Sequence, residues 1–469
     1  MTEPLWNWDE LVAAAEGRAS GEPTPPVTGV SIDTRTLQPG DLFVALKAER
    51  DGHDFVSDAF KAGAAAALVG KGYRKARNDG ALIRVEDSLS ALGAIGRAAR
   101  VRSNARIVAV TGSAGKTGTK EMLRLCLSEV GETHASEKSY NNHWGVPLTL
   151  ARMPRTAQYG VFEIGMNHAG EIAPLTEMVR PHAAVITTVD PVHLEYFPSV
   201  VAIAEAKAEL FKGLVPGGTA IVPHDNAHFA LLKERADAVG AKVVCFGYAE
   251  AADVRAIQAN LEPTGSSVIA GAGSRRFPYR IGAPGEHYVK NSLAVLAALI
   301  ALGADPMRGL PALLRVAPAA GRGARTVLTA PEGRILLIDE SYNANPASVR
   351  AALAAMGTTP RQDYPRRVVA LGDMLELGDA SMELHRALKE AVDAAGVDLV
   401  FACGPMMKAL FEELKSGQQG GWAPDSAVLT PLLLEAVKAG DAVMVKGSLA
   451  SRMAPVVEAL LARFAKAGS

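Results

Sequence analysis

A phosphate-type loop carries the strongest chemical signal in this chain. Val110-Thr-Gly-Ser-Ala-Gly-Lys-Thr-Gly-Thr-Lys120 follows a short β-branched run, Arg106 to Thr111, and opens a helical pattern from Lys116 to about Val130. A helix N-terminus carries unpaired N–H groups and a partial positive charge, which suit a polyphosphate. Gly112 and Gly115 let the loop backbone, with Ser113 and Ala114 between them, approach such a ligand closely. Lys116 could reach the β- and γ-phosphates, and the Thr117 hydroxyl could bind Mg²⁺. Only two residues separate Gly112 from Gly115, fewer than in the G-x-x-x-x-G-K-S/T form. The alternative is a plain glycine-rich turn with a surface lysine.

Other residues could serve the same chemistry. Glu163 ends an apolar strand in Val161-Phe-Glu-Ile-Gly-Met-Asn-His168. A carboxylate at the C-terminal end of a parallel strand lies where ligands bind, and it could hold Mg²⁺ opposite Thr117. A capping or surface glutamate is the alternative. His193, in Val189-Asp-Pro-Val-His-Leu-Glu195, could bind a second Mg²⁺ or the phosphates, although a lone histidine is more often structural. Lys207, in Ala204-Glu-Ala-Lys-Ala-Glu-Leu-Phe211, is by periodicity an ordinary helix lysine. Near the N-terminus, Arg35 could clamp a diphosphate and Asp33 could accept from an N–H donor. Both could equally pair with each other on the surface.

The elements that must position these residues fall into three blocks. At about 100–200 residues per domain, 469 residues suggest three domains. Residues 1–104 read as a small α/β domain with short apolar runs between turns. Residues 105–322 alternate strands and helices, which argues for a mostly parallel sheet covered on both faces, with a hairpin over 266–281 and a closing helix from about His287 to Leu302. Residues 323–469 restart the alternation as a doubly wound, Rossmann-like domain. The fold class is therefore α/β throughout.

Bulk properties exclude several classes. Hydrophobic residues make up 48% and charged residues 21%, ordinary for a globular protein. A net charge of −1 gives no global field toward nucleic acid or a membrane surface. No apolar run reaches the roughly 18 residues a membrane span needs. Cys126, Cys245 and Cys403 have no metal or disulfide spacing, which fits a reducing compartment. The acidic start lacks a signal peptide's basic and apolar regions, so a cytoplasmic protein is expected.

Taken together, these motifs resemble the Mur ligase family, and the likeness runs in order along the whole chain. The phosphate loop, the Glu163 strand, the His193 segment and the Lys207 helix look like the family's central ATPase domain. Gly285-Glu-His-Tyr-Val-Lys-Asn291 is similar to its G-x-H-N-x-x-N segment, with Tyr288 standing for the first Asn. Ser31-Ile-Asp-Thr-Arg35, Pro39-Gly-Asp-Leu-Phe-Val44 and Asp51-Gly-His-Asp-Phe55 look like its UDP-sugar-binding domain, and Asn141-Asn-His-Trp-Gly145 resembles its N-N-x-x-G loop. Asp339-Glu-Ser-Tyr-Asn-Ala-Asn-Pro346, Leu371-Gly-Asp-Met-Leu-Glu-Leu-Gly378, His385 and Val445-Lys-Gly-Ser448 are typical of the family's type that adds D-alanyl-D-alanine. The DNPR or DDPR segment usual in the diaminopimelate- and lysine-adding types is absent.

The resemblance implies the following chemistry. The terminal carboxylate of a UDP-MurNAc-tripeptide takes the γ-phosphoryl group of ATP, and the amine of D-Ala-D-Ala displaces phosphate. Thr117 and Glu163 would hold one Mg²⁺, and His193 with a carbamylated Lys207 a second. Asn291 would contact the adenine and Glu340 the ribose, while Ser31, Asp33, Arg35, Asn141, Asn142, Asn343 and Asn345 would meet the substrates. Arg322 would reach the phosphates when the domains close, and a monomer is typical. Read from the residues alone, Asn343 and Asn345 could be turn formers before a helix, and Lys446 and Arg452 surface charges. Other ligases of the superfamily, and a P-loop NTPase without ligase chemistry, are the competing readings.

Overall fold

The computed structural model describes residues 4–466 except 138, 192, 193, 263 and 319. Its strands form three sheets. The first contains β1 (Arg18–Ser20), β2 (Gly29–Ser31), β3 (Asp41–Val44), β4 (Ala66–Gly70) and β5 (Ala81–Val85), ordered β1-β5-β4-β3-β2. Strands β2 to β5 pair in parallel and β1 runs against β5. The central strands are buried on both faces, so they read as unbroken apolar runs rather than alternations.

The central sheet has nine strands: β6 (Arg106–Thr111), β7 (Thr133–Ala135), β8 (Tyr159–Glu163), β9 (Ala183–Ile186), β10 (Thr219–Pro223), β11 (Lys242–Gly247), β12 (Val254–Glu262), β13 (Gly265–Ala272) and β14 (Arg275–Ile281). Their order is β14-β13-β12-β11-β10-β9-β6-β8-β7. Chain order reverses around β6, which lies between β8 and β9, and ligands of open α/β sheets bind at such a switch point. The predicted hairpin is present as β13–β14, but it is the outer part of a three-stranded antiparallel extension. Its inner strand, β12, escaped the sequence because its burial pattern follows neither a strict alternation nor a run.

The third sheet holds β15 (Ala324–Ala330), β16 (Gly333–Glu340), β17 (Arg366–Gly372), β18 (Leu399–Cys403), β19 (Gln419–Ala423), β20 (Asp441–Lys446) and β21 (Ala465–Lys466), ordered β19-β18-β17-β20-β16-β15-β21. Five strands are parallel, and β15 and β21 add an antiparallel edge. Apolar clusters cover both faces of the central sheet and both faces of this one. The first domain docks on the central one. The Trp6 indole donates to the Ala151 carbonyl at 2.9 Å, and Glu10 pairs with Arg155. No helix among the described residues is long and apolar enough to cross a membrane.

Candidate active site

The strand register builds the site. Val110 on β6 pairs with Glu163 on β8, and Thr111 pairs with Ile186 on β9. Glu163 and Thr187 therefore flank the loop that leaves β6. Gly112 sits at φ +150° and Gly115 at φ +79°. A Cβ on Gly112 would lie 1.9 Å from the Thr187 hydroxyl oxygen, and one on Gly115 would lie 2.9 Å from Asn291 Oδ1. The Thr187 hydroxyl donates to the Ala114 carbonyl. The Ser113 hydroxyl is fixed from β9's far end, accepting from Asp190 N at 2.9 Å and donating to Asp190 O at 3.1 Å. The loop is thus pinned by residues of the next strand, and the helix Lys116–Ser128 starts at its end.

Lys116 folds back to donate to the Gly112 carbonyl at 2.6 Å. Burial lowers its pKa from the ordinary lysine value; Glu163 opposes this and Arg322 adds to it. Thr117 donates to Glu163 Oε2 at 2.9 Å, and Asn141 Nδ2 donates to Glu163 Oε1 at 2.8 Å. Glu163 is 1% exposed, so the surface-glutamate alternative is excluded. A buried carboxylate beside a hydroxyl, next to a phosphate-type loop, is a hard-oxygen donor set that fits Mg²⁺. Among the described residues, no group of three or more His, Cys, Asp or Glu could hold a metal.

Lys207 is 2% exposed, contrary to an ordinary helix lysine. Its pKa lies well below the usual value: burial comes first, the Lys116 charge adds to it, and Asp190 partly offsets both. Burial and the Lys116 charge thus disfavour the ammonium form of this side chain. His193 lies outside the described residues.

The third domain brings a second group of residues to this edge. Asp339 accepts from Gly321 N at 2.7 Å and from the Ser341 hydroxyl at 2.6 Å, which shapes the linker around Arg322. The Arg322 guanidinium lies 4.1 Å above the Tyr342 ring and donates to Ser139 Oγ at 3.3 Å. Glu340 accepts from Lys446 Nζ at 3.2 Å, and Lys446 also donates to the Asn343 carbonyl at 3.0 Å. Lys446 is 3% exposed, so the surface-charge reading fails for it. Glu340 acts electrostatically on His287 and on Tyr288, whose hydroxyl pKa burial pushes well up. Tyr288 lies on the helix Glu286–Ala301, which also carries Asn291.

Several expected substrate residues bond locally here. Asn345 caps the helix Pro346–Gly357 through a reciprocal box with Ser348, and Asn343 Oδ1 accepts from Ala344 N. Asn142 Oδ1 accepts from Gly145 N at 3.0 Å and so shapes its own loop. Asp33 and Arg35 form a bidentate pair, closest at 2.6 Å, and Ser31 Oγ donates to the Asp33 carbonyl. His385 is fully buried and structural: Nε2 accepts from Met374 N, which leaves Nδ1 to donate to the Ser381 carbonyl. Thr187 and Asp190 were missed as parts of the site. The only signal for Thr187 and Asp190 was their place just after a strand end.

A cleft of about 360 Å³ lies elsewhere, on the β12–β14 extension beside Gln258, Asn260 and Arg280, and contains none of these residues. The candidate site lies instead at the junction of the central and third domains, which Arg322 spans.

Comparison with known proteins agrees with this geometry. Three family models match in succession: "Mur ligase family, catalytic domain" over 26–111, "Mur ligase middle domain" over 110–299, and "Mur ligase, glutamate ligase domain" over 325–449. The chain is 36% identical to the UDP-N-acetylmuramoyl-tripeptide–D-alanyl-D-alanine ligase of Escherichia coli over 92% of this chain and 93% of that one. It superposes on the crystal structure of MurF from Acinetobacter baumannii with a TM-score of 0.83 at 30% identity, covering 98% of this chain and 100% of that one. A MurF ligase from Thermotoga maritima in complex with ADP aligns with a TM-score of 0.76 at 26% identity, over 93% and 97% of the two chains. The chain belongs to the Mur ligase family.

Proposed function

We propose that this chain is an ATP-dependent ligase that joins D-Ala-D-Ala to UDP-MurNAc-tripeptide through an acyl phosphate. The observation that carries the reading is the convergence of two domains on one edge. Thr117, Asn141 and Glu163 lie bonded together beside the phosphate loop, and Arg322 joins Ser139 of the central domain to Tyr342 of the third. The high-coverage likeness to ligases of that name supplies the substrates.

Attack of a carboxylate oxygen on the γ-phosphorus forms the acyl phosphate and releases ADP. The dipeptide amine then attacks the acyl carbon, loses a proton and expels phosphate. Negative groups must meet in the first step, and Lys116 and Arg322 offset that repulsion. Thr117 and Glu163 would hold Mg²⁺, which screens the phosphate charge. The loop N–H groups and the start of the helix Lys116–Ser128 orient the triphosphate. Asn291 and Glu340 would fix adenosine, and Ser31, Asp33 and Arg35 the sugar nucleotide. Asn142, Asn343 and Asn345 lie in loops that would line the peptide end. Closure on Arg322 keeps water from the acyl phosphate.

Lys207 adds a carboxylate when its neutral amine attacks carbon dioxide, forming an N–C bond and releasing a proton. That anion would hold a second Mg²⁺ together with His193. An intact-mass increase of about 44 Da localised to Lys207 checks this, and an unmodified amine in fully active enzyme refutes it. A monomer working in the cytoplasm completes the reading.

Phosphate release from ATP and Mg²⁺ tests the function. Release that needs both UDP-MurNAc-tripeptide and D-Ala-D-Ala is the expected result. Release with UDP-MurNAc-dipeptide and a free diamino acid would move the enzyme one step earlier, and release indifferent to nucleotide-sugar would leave a bare NTPase.

A further inference from the structure

The stretch carrying Ser136, Glu137, Ser139 and Asn141 meets groups from the phosphate-loop helix, from the linker to the third domain and from Arg152, which also contacts the first domain. From the phosphate-loop helix, Lys120 Nζ donates to the Ser136 carbonyl at 2.7 Å. From the linker to the third domain, Arg322 reaches Ser139 Oγ. Arg152, which ends the helix Gly145–Ala151, donates through Nη1 to Glu137 Oε2 at 2.8 Å. Its Nε donates to the Val30 carbonyl on β2 at 2.6 Å, one residue before Ser31. One planar guanidinium thus joins the first domain to this stretch. The stretch in turn touches the candidate metal ligand twice: Ser136 Oγ accepts from Glu163 N at 3.3 Å, and Asn141 Nδ2 donates to Glu163 Oε1 at 2.8 Å.

We infer that Arg152 is a positioning residue that holds the Asn141 stretch, and through it the Glu163 carboxylate, in fixed register with the strand carrying Ser31. The inference rests on the ligase reading above, because only a reaction between a sugar-nucleotide in the first domain and a nucleotide in the second needs that register. Two features support a positioning role over a stabilising one. The Glu137 side chain is 68% exposed, and an ion pair that open adds little to folding. The fork geometry of Arg matters as well, because its two N–H groups serve acceptors in two domains at once, which a lysine's single ammonium cannot reproduce.

The test uses the full chain and steady-state ligation of D-Ala-D-Ala to UDP-MurNAc-tripeptide. A wild-type enzyme that forms no product sinks the ligase reading itself; the remaining outcomes judge Arg152. Arg152→Met is expected to lower kcat about tenfold or more, since small misplacements of reacting groups carry large rate penalties. KM for ATP should stay within about twofold and the melting temperature within about 2 °C. Arg152→Lys should recover only part of kcat. Glu137→Ala should also lower kcat, Glu137→Gln should restore much of it by keeping an acceptor, and the Arg152→Met/Glu137→Ala pair should fall short of the product of the single effects. Unchanged kcat in Arg152→Met overturns the inference, as does a kcat loss that only tracks a lost melting transition. If Arg152→Met does not fold, Glu137→Ala decides: a lowered kcat supports the inference and a wild-type kcat overturns it.

Discussion

Two buried lysines show how local environment sets chemistry. Burial and the nearby Lys116 charge disfavour the Lys207 ammonium in the folded chain. The folded chain holds a proton there less tightly than the unfolded chain, so this group costs stability below its ordinary pKa and costs less as pH rises toward that value. In carbon dioxide-free buffer, Lys207→Met should therefore raise the melting temperature by about 2–4 °C at neutral pH, less at pH 10, while abolishing ligation. A scanning calorimeter at the two pH values checks the sign. Lys446 has the opposite role, since Glu340 accepts from it inside the third domain. Lys446→Met leaves that carboxylate without its cation and should cost about 1–3 kcal/mol in urea unfolding, with a raised KM for ATP.

At the level of elements, the loop between β6 and its helix is shaped by contacts from outside itself. Both of its glycines have positive φ, but they are not equivalent. The Cβ of Gly115→Ala would press on the end of the Asn291 side chain, which can give way. The Cβ of Gly112→Ala would meet Thr187 at its hydroxyl, its Cβ and its backbone nitrogen, at 1.9, 3.1 and 3.2 Å. Gly112→Ala should therefore be the more damaging. Titration with a fluorescent ATP analogue should show affinity reduced about tenfold in Gly115→Ala, and by more, with lower stability, in Gly112→Ala. Equal losses would mean that Thr187 does not set the loop.

At the scale of the whole molecule, the site exists only where domains meet. Arg322 stacks on Tyr342 of the third domain and reaches Ser139 of the second, so it already spans the junction. Arg322→Gln should lower kcat at least tenfold with little change in KM for ATP, because its charge is needed once the phosphoryl group moves. Nucleotide and sugar-nucleotide together should raise the melting temperature by more than the sum of their separate effects, since each favours the closed arrangement. Simple additivity in a thermal-shift titration would argue for independent sites.

Much of this was legible in the residues themselves. The α/β class, three successive units, the phosphate loop and Glu163 at a strand end follow from apolar periodicity and from backbone chemistry that only particular residue types supply. Those signals are local: a glycine needing positive φ or a β-branched run declares itself within a few positions. Resemblance supplied roles for Lys207, Asn291, Glu340 and Arg322 that spacing could not. The rest was decided by tertiary structure. Only the register of β6 between β8 and β9 puts Thr187 and Asp190 against the loop, and only burial with the Lys116 charge beside it disfavours the ammonium of Lys207. Lys446, Arg152 and Lys120 acquire partners that are between 15 and 122 positions away in the chain. Periodicity is blind at that range, because long-range pairing depends on how sheets and domains pack rather than on the residues beside each one.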